Sequence, residues 1–211
     1  RPELVIGDYP QHFLGEFASA ISEETQTDWN GIIGRLELRA TDPIWIHEVQ
    51  VYPDIERKLA RVRLAISNAT AVAVSGHLTL QVHGPTRVPS LTVPFHFAEG
   101  GGGLEADLPM GDGVRLWDEF SPSLYTLEVS LAIEGPAGGF TDRRAVTFGM
   151  RALGLRAGKQ FTVNGRPIFL RGTLDCCIFP LTGYPPMEEK QWARVFRVCR
   201  EHGLNHVRFH S

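Results

Sequence analysis

Phe161-Thr162-Val163-Asn164-Gly165-Arg166-Pro167-Ile168-Phe169-Leu170 opens the stretch whose reading decides the fold. Asn164-Gly165 is a strong two-residue turn signal, because both positions tolerate positive φ, so the segment reads as a hairpin. Its second strand is expected to run on through Leu170-Arg171-Gly172-Thr173-Leu174-Asp175. A loop rich in proline and glycine follows, ending at Tyr184-Pro185-Pro186. A helix is expected from Met187 to His202. Trp192, Val195, Phe196 and Cys199 fall at i, i+3, i+4 and i+7 and make one apolar face. Glu188 and Glu189 suit the positive end of its dipole, Arg197, Arg200 and His202 the negative end, and Gly203 is a natural stop. Asn205-His206-Val207-Arg208-Phe209-His210 then alternates as a strand. Strand, helix, strand in succession makes a right-handed parallel unit. Parallel strands are normally covered on both faces and paired on both sides, and one such unit cannot bury itself. The expectation is therefore a piece of a longer protein, cut just inside a parallel-stranded domain.

Upstream, residues 41–150 carry short alternating strands separated by turn residues. Val62, Leu64 and Ile66 share one face, as do Leu78, Leu80 and Val82, and Leu91, Val93, Phe95 and Phe97. Leu104, Ala106 and Leu108 follow, then Leu127, Val129, Leu131 and Ile133, then Val146 and Phe148. Six or seven such strands with no helical pattern between them indicate an antiparallel β-sandwich of immunoglobulin-like size. Gly100 to Gly103 lacks the Lys-Ser/Thr and helix of a phosphate loop, so it reads as a flexible hairpin tip. Gly135-Pro136-Ala137-Gly138-Gly139 reads as another. Asn68-Ala69-Thr70 fits a glycosylation sequon but ends a strand, and is read as a turn. His77, His83 and His96 sit on different strands and read as solvated surface. Residues 149–160 read as a link between sandwich and hairpin.

Residues 1–40 are less patterned. Gly31 to Ala40 alternates, with Ile32, Leu36 and Leu38 opposed by Arg35, Glu37 and Arg39, and reads as a strand with one wet face. Before it, Thr25-Gln26-Thr27-Asp28-Trp29-Asn30 is a polar loop with one tryptophan. An aromatic flanked by amides suits sugar, since the ring stacks on C–H groups while amides bond hydroxyls; equally, Trp29 can plug a domain junction.

Composition bounds the partners. The chain has 211 residues and a formal net charge of -3, which argues against nucleic acid or an anionic membrane as the main partner. No apolar run approaches the roughly 18 residues that span a bilayer. Cys176, Cys177 and Cys199 form no disulfide framework, and they lack the spacing of a metal site, so no metal or cofactor is expected.

Several of these motifs together resemble glycoside hydrolase family 2, the family of β-galactosidases, β-glucuronidases and β-mannosidases. Phe161 to Gly172 resembles the lead into that family's catalytic barrel. Leu116-Trp117-Asp118-Glu119-Phe120-Ser121-Pro122-Ser123-Leu124-Tyr125-Thr126-Leu127 looks like the approach to a strand of its sandwich, and Phe148-Gly149-Met150-Arg151 like the sandwich exit. Trp29-Asn30-Gly31-Ile32 resembles the last loop and strand of its sugar-binding domain, and Asn205-His206-Val207-Arg208 its second barrel strand.

The resemblance implies a mainly β chain in three parts. Residues 1–40 would end a jelly-roll sugar-binding domain, 41–150 would be an immunoglobulin-like sandwich, and 151–211 would be the first βαβ of a truncated (β/α)8, or TIM, barrel. It implies a parent that is a retaining exo-β-glycosidase, an O-glycosyl hydrolase acting on terminal β-linked sugars and expected in the periplasm or secreted. Retention needs two carboxyl groups about 5 to 5.5 Å apart. In the family these are glutamates of later strands, so no catalytic residue is expected among these 211, and the chain alone is expected to be inactive. The partners implied are a carbohydrate substrate and the remainder of the parent chain. A non-enzymatic carbohydrate-binding or adhesive β-sandwich is the alternative.

On such barrels the site lies at the C-terminal ends of the strands, here near Asp175 and His210. Alternation puts His206, Arg208 and His210 on one face, looking into the barrel, with Val207 and Phe209 toward the helices. By resemblance Arg208 would hold the nucleophilic glutamate ionised and aimed. Asp175 could accept bonds from sugar hydroxyls or cap a turn, and His210 could donate to hydroxyls; Trp29 and Asn30 would add sugar contacts, while His206 lies deeper and reads as structural. The pattern also departs from the family. Many galactosidases have Asn-Arg-His-Glu where Thr173-Leu174-Asp175-Cys176 stands, and Ser-His-Tyr-Pro after the arginine where Phe209-His210-Ser211 stands. A differently built sugar subsite is the expected consequence.

Overall fold

The structure is a computed structural model, and it describes residues 32, 34, 36–134, 139–176, 179 and 181–209. The chain divides into two compact units, Arg39–Ile168 and a second made of Arg1–Leu38 with Phe169–Ser211.

The first unit is built on two antiparallel sheets. One has three strands, β1 (Ile44–Asp54), β2 (Leu59–Asn68) and β5 (Gly100–Pro109), in the order β1-β2-β5. The other has four: β3 (Val74–His83), β4 (Leu91–Phe97), β6 (Tyr125–Glu134) and β7 (Thr141–Phe148), in the order β4-β3-β6-β7. Alternation along each strand explains why they form. Val62, Leu64 and Ile66 of β2, Leu78, Leu80 and Val82 of β3 and Leu127, Val129 and Leu131 of β6 all turn inward and are buried. Burying one such side chain stabilises by about 1.5–3 kcal/mol, so this shared core is what holds the sandwich together.

In β1 the inward set changes phase, from Ile44 and Ile46 to Val49 and Val51, because a bulge between Ile46 and Glu48 inserts His47 as an extra residue. Beside the bulge, β7 reaches the edge of β1 through side chains. Asp142 Oδ2 accepts the Ile46 N–H at 2.8 Å, and Arg144 Nε donates to the Ile46 carbonyl at 3.2 Å. Tyr125 is fully buried at the start of β6 and its Oη accepts the Arg115 N–H at 2.8 Å. The Asn68-Ala69-Thr70 turn is confirmed: Asn68 is buried, donates its amide to Val72 O and Ala98 O, and accepts from Thr70.

Four expectations are corrected. The second hairpin strand does not run on to Asp175, because Arg166–Pro167 and Gly172–Asp175 are separate strands in separate sheets. Gly100–Gly103 is not a loose tip but the first part of β5, paired with Asn68 back to Ala65. A Cβ on Gly101 would lie 2.0 Å from the Ile66 carbonyl oxygen and one on Gly102 would lie 2.4 Å from the Phe97 ring, so these glycines permit close approach. The stretch 149–160 is not a bare link, because it contains β8 (Leu153–Arg156). This strand pairs with β9 (Gln160–Val163), which pairs in turn with β10 (Arg166–Pro167). The Asn164-Gly165 turn between the last two has φ of 52° and 75°, as a tight hairpin demands. Finally, the described residues of 31–40 form no strand, and Leu36 and Leu38 are exposed. Alternation alone does not make a strand, which needs a neighbour to complete its ladder, and no described strand pairs with this stretch.

The second unit holds β11 (Gly172–Asp175), helix α1 (Glu189–Glu201) and β12 (His206–Phe209), with β11 and β12 parallel. Mainly β character with one helix is thus observed among the described residues, and that helix is too short to cross a membrane.

Candidate functional site

The strand–helix–strand unit carries the described candidates. Its helix is pinned at both ends. Trp192 Nε1 donates to the Pro186 carbonyl at 2.8 Å, which ties the first turns to the preceding loop. At the other end the N–H groups of His202, Gly203 and Leu204 bond back to Val198, Arg200 and Cys199, with Gly203 at φ 78°. The face expected from spacing is the one that packs. Trp192 stacks on Phe196 at 5.8 Å, and meets Phe179 edge-on at 5.8 Å and Phe209 edge-on at 5.4 Å. These contacts put Phe209 on the helix side of the sheet.

The register then assigns faces. Gly172 pairs with His206, Thr173 with Val207, Leu174 with Arg208 and Asp175 with Phe209. Paired residues project to the same side, so Gly172, Leu174, His206 and Arg208 share the face turned away from the helix. Arg208 is exposed there and makes no ion pair shown among the described residues. Asp175 stands at the C-terminal end of β11 but shares its face with Phe209, so the structure does not bring Asp175 and Arg208 together on one side. Trp29, Asn30 and His210 lie outside the described residues.

Asn205 opens the alternating run, and sequence reasoning gave it no role of its own. Its Oδ1 accepts the Arg171 N–H at 2.8 Å, its Nδ2 donates to Phe169 O at 3.1 Å, and its own N–H donates to Arg171 O at 2.9 Å. Arg171 Nε in turn donates to Gly203 O at 2.7 Å.

Two polar clusters lie in the sandwich unit. On the outer face of the β1-β2-β5 sheet, Glu48, Gln50, Arg63, Ala65, Gly103 and Glu105 surround a shallow depression of about 400 Å³. Its groups satisfy one another: Arg63 pairs with Glu105 at 2.7 Å and lies over the Tyr52 ring at 4.9 Å, and Gln50 bridges Tyr52 to Glu48. Beside it Arg61 holds Asp107 through Nε and Nη2, which lowers the Asp107 carboxyl below the ordinary aspartate value. The second cluster joins the hairpin to the sandwich. Asn164 accepts the Ala152 N–H at 2.9 Å and donates to Trp117 O at 3.0 Å, and Arg151 lies over the Trp117 ring at 4.4 Å. Asp118 accepts the N–H groups of Ser121 and Phe120 and pairs with Arg166 at 2.7 Å, and these bonds hold its carboxyl below the ordinary value. Among the described residues no group of three His, Cys, Asp or Glu could hold a metal ion.

The architecture recurs in solved structures. A β-galacturonidase from Eisenbergiella tayi matches with TM-score 0.64 and 16% identity over 80% of this chain and 29% of its own. The β-glucuronidase of Bacteroides uniformis matches with TM-score 0.62 and 18% identity over 81% of this chain and 22% of its own. That of Parabacteroides merdae matches with TM-score 0.59 and 22% identity over 79% and 21%. Identities this low show a shared fold, and the chain spans less than a third of the length of each of these enzymes. No curated protein sequence matches. The sequence pattern of the sandwich is more discriminating than its shape: the model of the glycosyl hydrolases family 2 matches residues 44–151, from the first inward isoleucine of β1 to the arginine over Trp117, and the chain belongs to that family.

Proposed function

We propose that the chain works as part of a longer retaining exo-β-glycosidase that hydrolyses terminal β-linked sugars. The observation that carries this reading is family membership over the sandwich. In this reading residues 41–150 form an immunoglobulin-like domain. Its strand order, with β1-β2-β5 facing β4-β3-β6-β7, supports that, as does the buried Tyr125 whose hydroxyl bonds back to an upstream backbone N–H. β11, α1 and β12 are then the first strand, helix and second strand of a (β/α)8 barrel. Two features support this: a parallel pair whose helix buries no residue, and the placing of His206 and Arg208 of β12 on the sheet face opposite that helix.

Arg208 is placed by this reading on the inner barrel wall, against the carboxylate that attacks the anomeric carbon. A guanidinium there keeps the carboxylate ionised and fixes its direction through charge-assisted hydrogen bonds. The attacking and protonating carboxyl groups come from elsewhere in the longer protein. Asp175, at the end of β11, and His210, Trp29 and Asn30 remain proposed sugar contacts. The carbohydrate partner follows from the family, and the β-galacturonidase and β-glucuronidases that share the fold make β-galacturonides and β-glucuronides natural probes alongside β-galactosides.

The test is hydrolysis of a panel of aryl β-glycosides covering those three sugars. The longer protein is expected to release the aryl group from at least one, and residues 1–211 alone from none. Turnover by the 211-residue chain, or none by the longer protein on any β-glycoside, overturns the reading.

A further inference from the structure

We propose that Asn205 is a positioning residue that locks the register of β11 against β12 and thereby fixes where Arg208 stands. This rests on the glycosidase reading for what Arg208 does, whereas the lock rests on hydrogen bonds alone.

The ladder between β11 and β12 has only four residue pairs. Parallel hydrogen bonds are evenly spaced, so a short exposed ladder discriminates poorly between registers. The consequences of a slip are large. A shift of one residue turns Arg208 to the helix side, and a shift of two carries it about 6.6 Å along the sheet. Side chains must therefore choose the register, and Asn205 is placed to do so. It makes three hydrogen bonds to the segment just before β11, two through its amide and one through its backbone N–H. An amide is the group that can accept from Arg171 N–H and donate to Phe169 O at once. Arg171 closes the junction from the other strand by donating to Gly203 O, where the helix ends.

A steric key enforces the same pairing. His206 lies over Gly172, where an added Cβ would be 2.9 Å from the imidazole Cδ2. A slip of two in either direction sets His206 opposite Leu174 or Leu170 instead. The polar lock and the glycine key thus select one alignment, and in that alignment Arg208 faces away from the helix.

The experiment uses the longer protein, with Asn205→Ala and Asn205→Asp. It reads kcat and KM on the aryl β-glycoside the wild type hydrolyses best, and hydrogen exchange in peptides spanning 169–176 and 204–210. Asn205→Ala is expected to lower kcat by about 10- to 100-fold with KM little changed, because a misplaced orienting group acts on the chemical step. Exchange should accelerate in those two segments, and the sandwich should melt as before. Asn205→Asp keeps the acceptor for Arg171 N–H and loses the donor to Phe169 O, so its loss should be smaller. Unchanged exchange in both variants overturns the lock. Faster exchange with unchanged kcat overturns the positioning role. An inactive wild type instead overturns the glycosidase reading and the positioning role with it, and exchange then judges the lock alone.

Discussion

Asp118 shows how a residue can stabilise this fold and make it acid-sensitive. Its carboxyl accepts two backbone N–H groups and pairs with Arg166, and these hold its titration below the ordinary aspartate value. A carboxylate depressed on folding stabilises fully above its unfolded value, near 4, and that stability is lost as pH falls toward the folded value. Asp118→Asn should therefore lower the thermal midpoint at pH 7 and approach the wild type as the buffer is taken below pH ~4. A difference that stays constant with pH would assign the effect to packing. Tyr125→Phe removes the acceptor of the Arg115 N–H and should cost about 1–3 kcal/mol in chemical denaturation. A change below a few tenths of a kcal/mol would mean water replaces the hydroxyl there. At this scale the sequence was partly legible. The alternation of His206 to Phe209 shows that Arg208 and Phe209 face opposite ways, and the ring contact with Trp192 agrees. The face of Asp175 was not legible, because it depends on which residue of β12 it pairs with, and pairing is a property of two segments at once.

Periodicity found the elements and misjudged some of their limits. The inward faces of β2, β3 and β6 follow from alternation, and the helix expected over Met187–His202 forms over Glu189–Glu201. The glycine run was the instructive failure. Glycine reads as flexibility when only composition is seen, yet here it fills a strand crossed closely by Ile66 and Phe97. The contrast can be measured within the run. Gly101→Ala, at φ 96° and against a carbonyl, should destabilise by about 1–3 kcal/mol, whereas Gly103→Ala meets its nearest atom at 3.5 Å and should be nearly neutral. Equal tolerance at both positions in urea denaturation would restore the flexible tip. Leu36 and Leu38 failed the opposite way, since they alternate correctly but pair with no strand among the described residues.

Across the whole molecule the two units differ in kind. The sandwich unit has a buried core drawn from both of its sheets, whereas none of the described residues from Phe169 to Phe209 is buried. In the 211-residue chain, amide exchange should therefore be slow in β2, β3 and β6 and fast throughout β11, α1 and β12. Equal protection in both would show that the parallel unit is stable without further strands. The sandwich was legible in advance because its stabilising contacts lie within the chain. The chemistry was not, because an arginine on a sheet face acquires a role only from the groups that come to face it.

The most direct measurement of that role is kcat of the longer protein with Arg208→Ala on its best aryl β-glycoside, with the fold checked by thermal midpoint. The account predicts a loss of about 100-fold or more in kcat at an unchanged midpoint, as befits removal of an electrostatic contact to the reacting carboxylate. An Arg208→Ala enzyme that turns over at the wild-type rate would take β12 out of the active site and contradict the account.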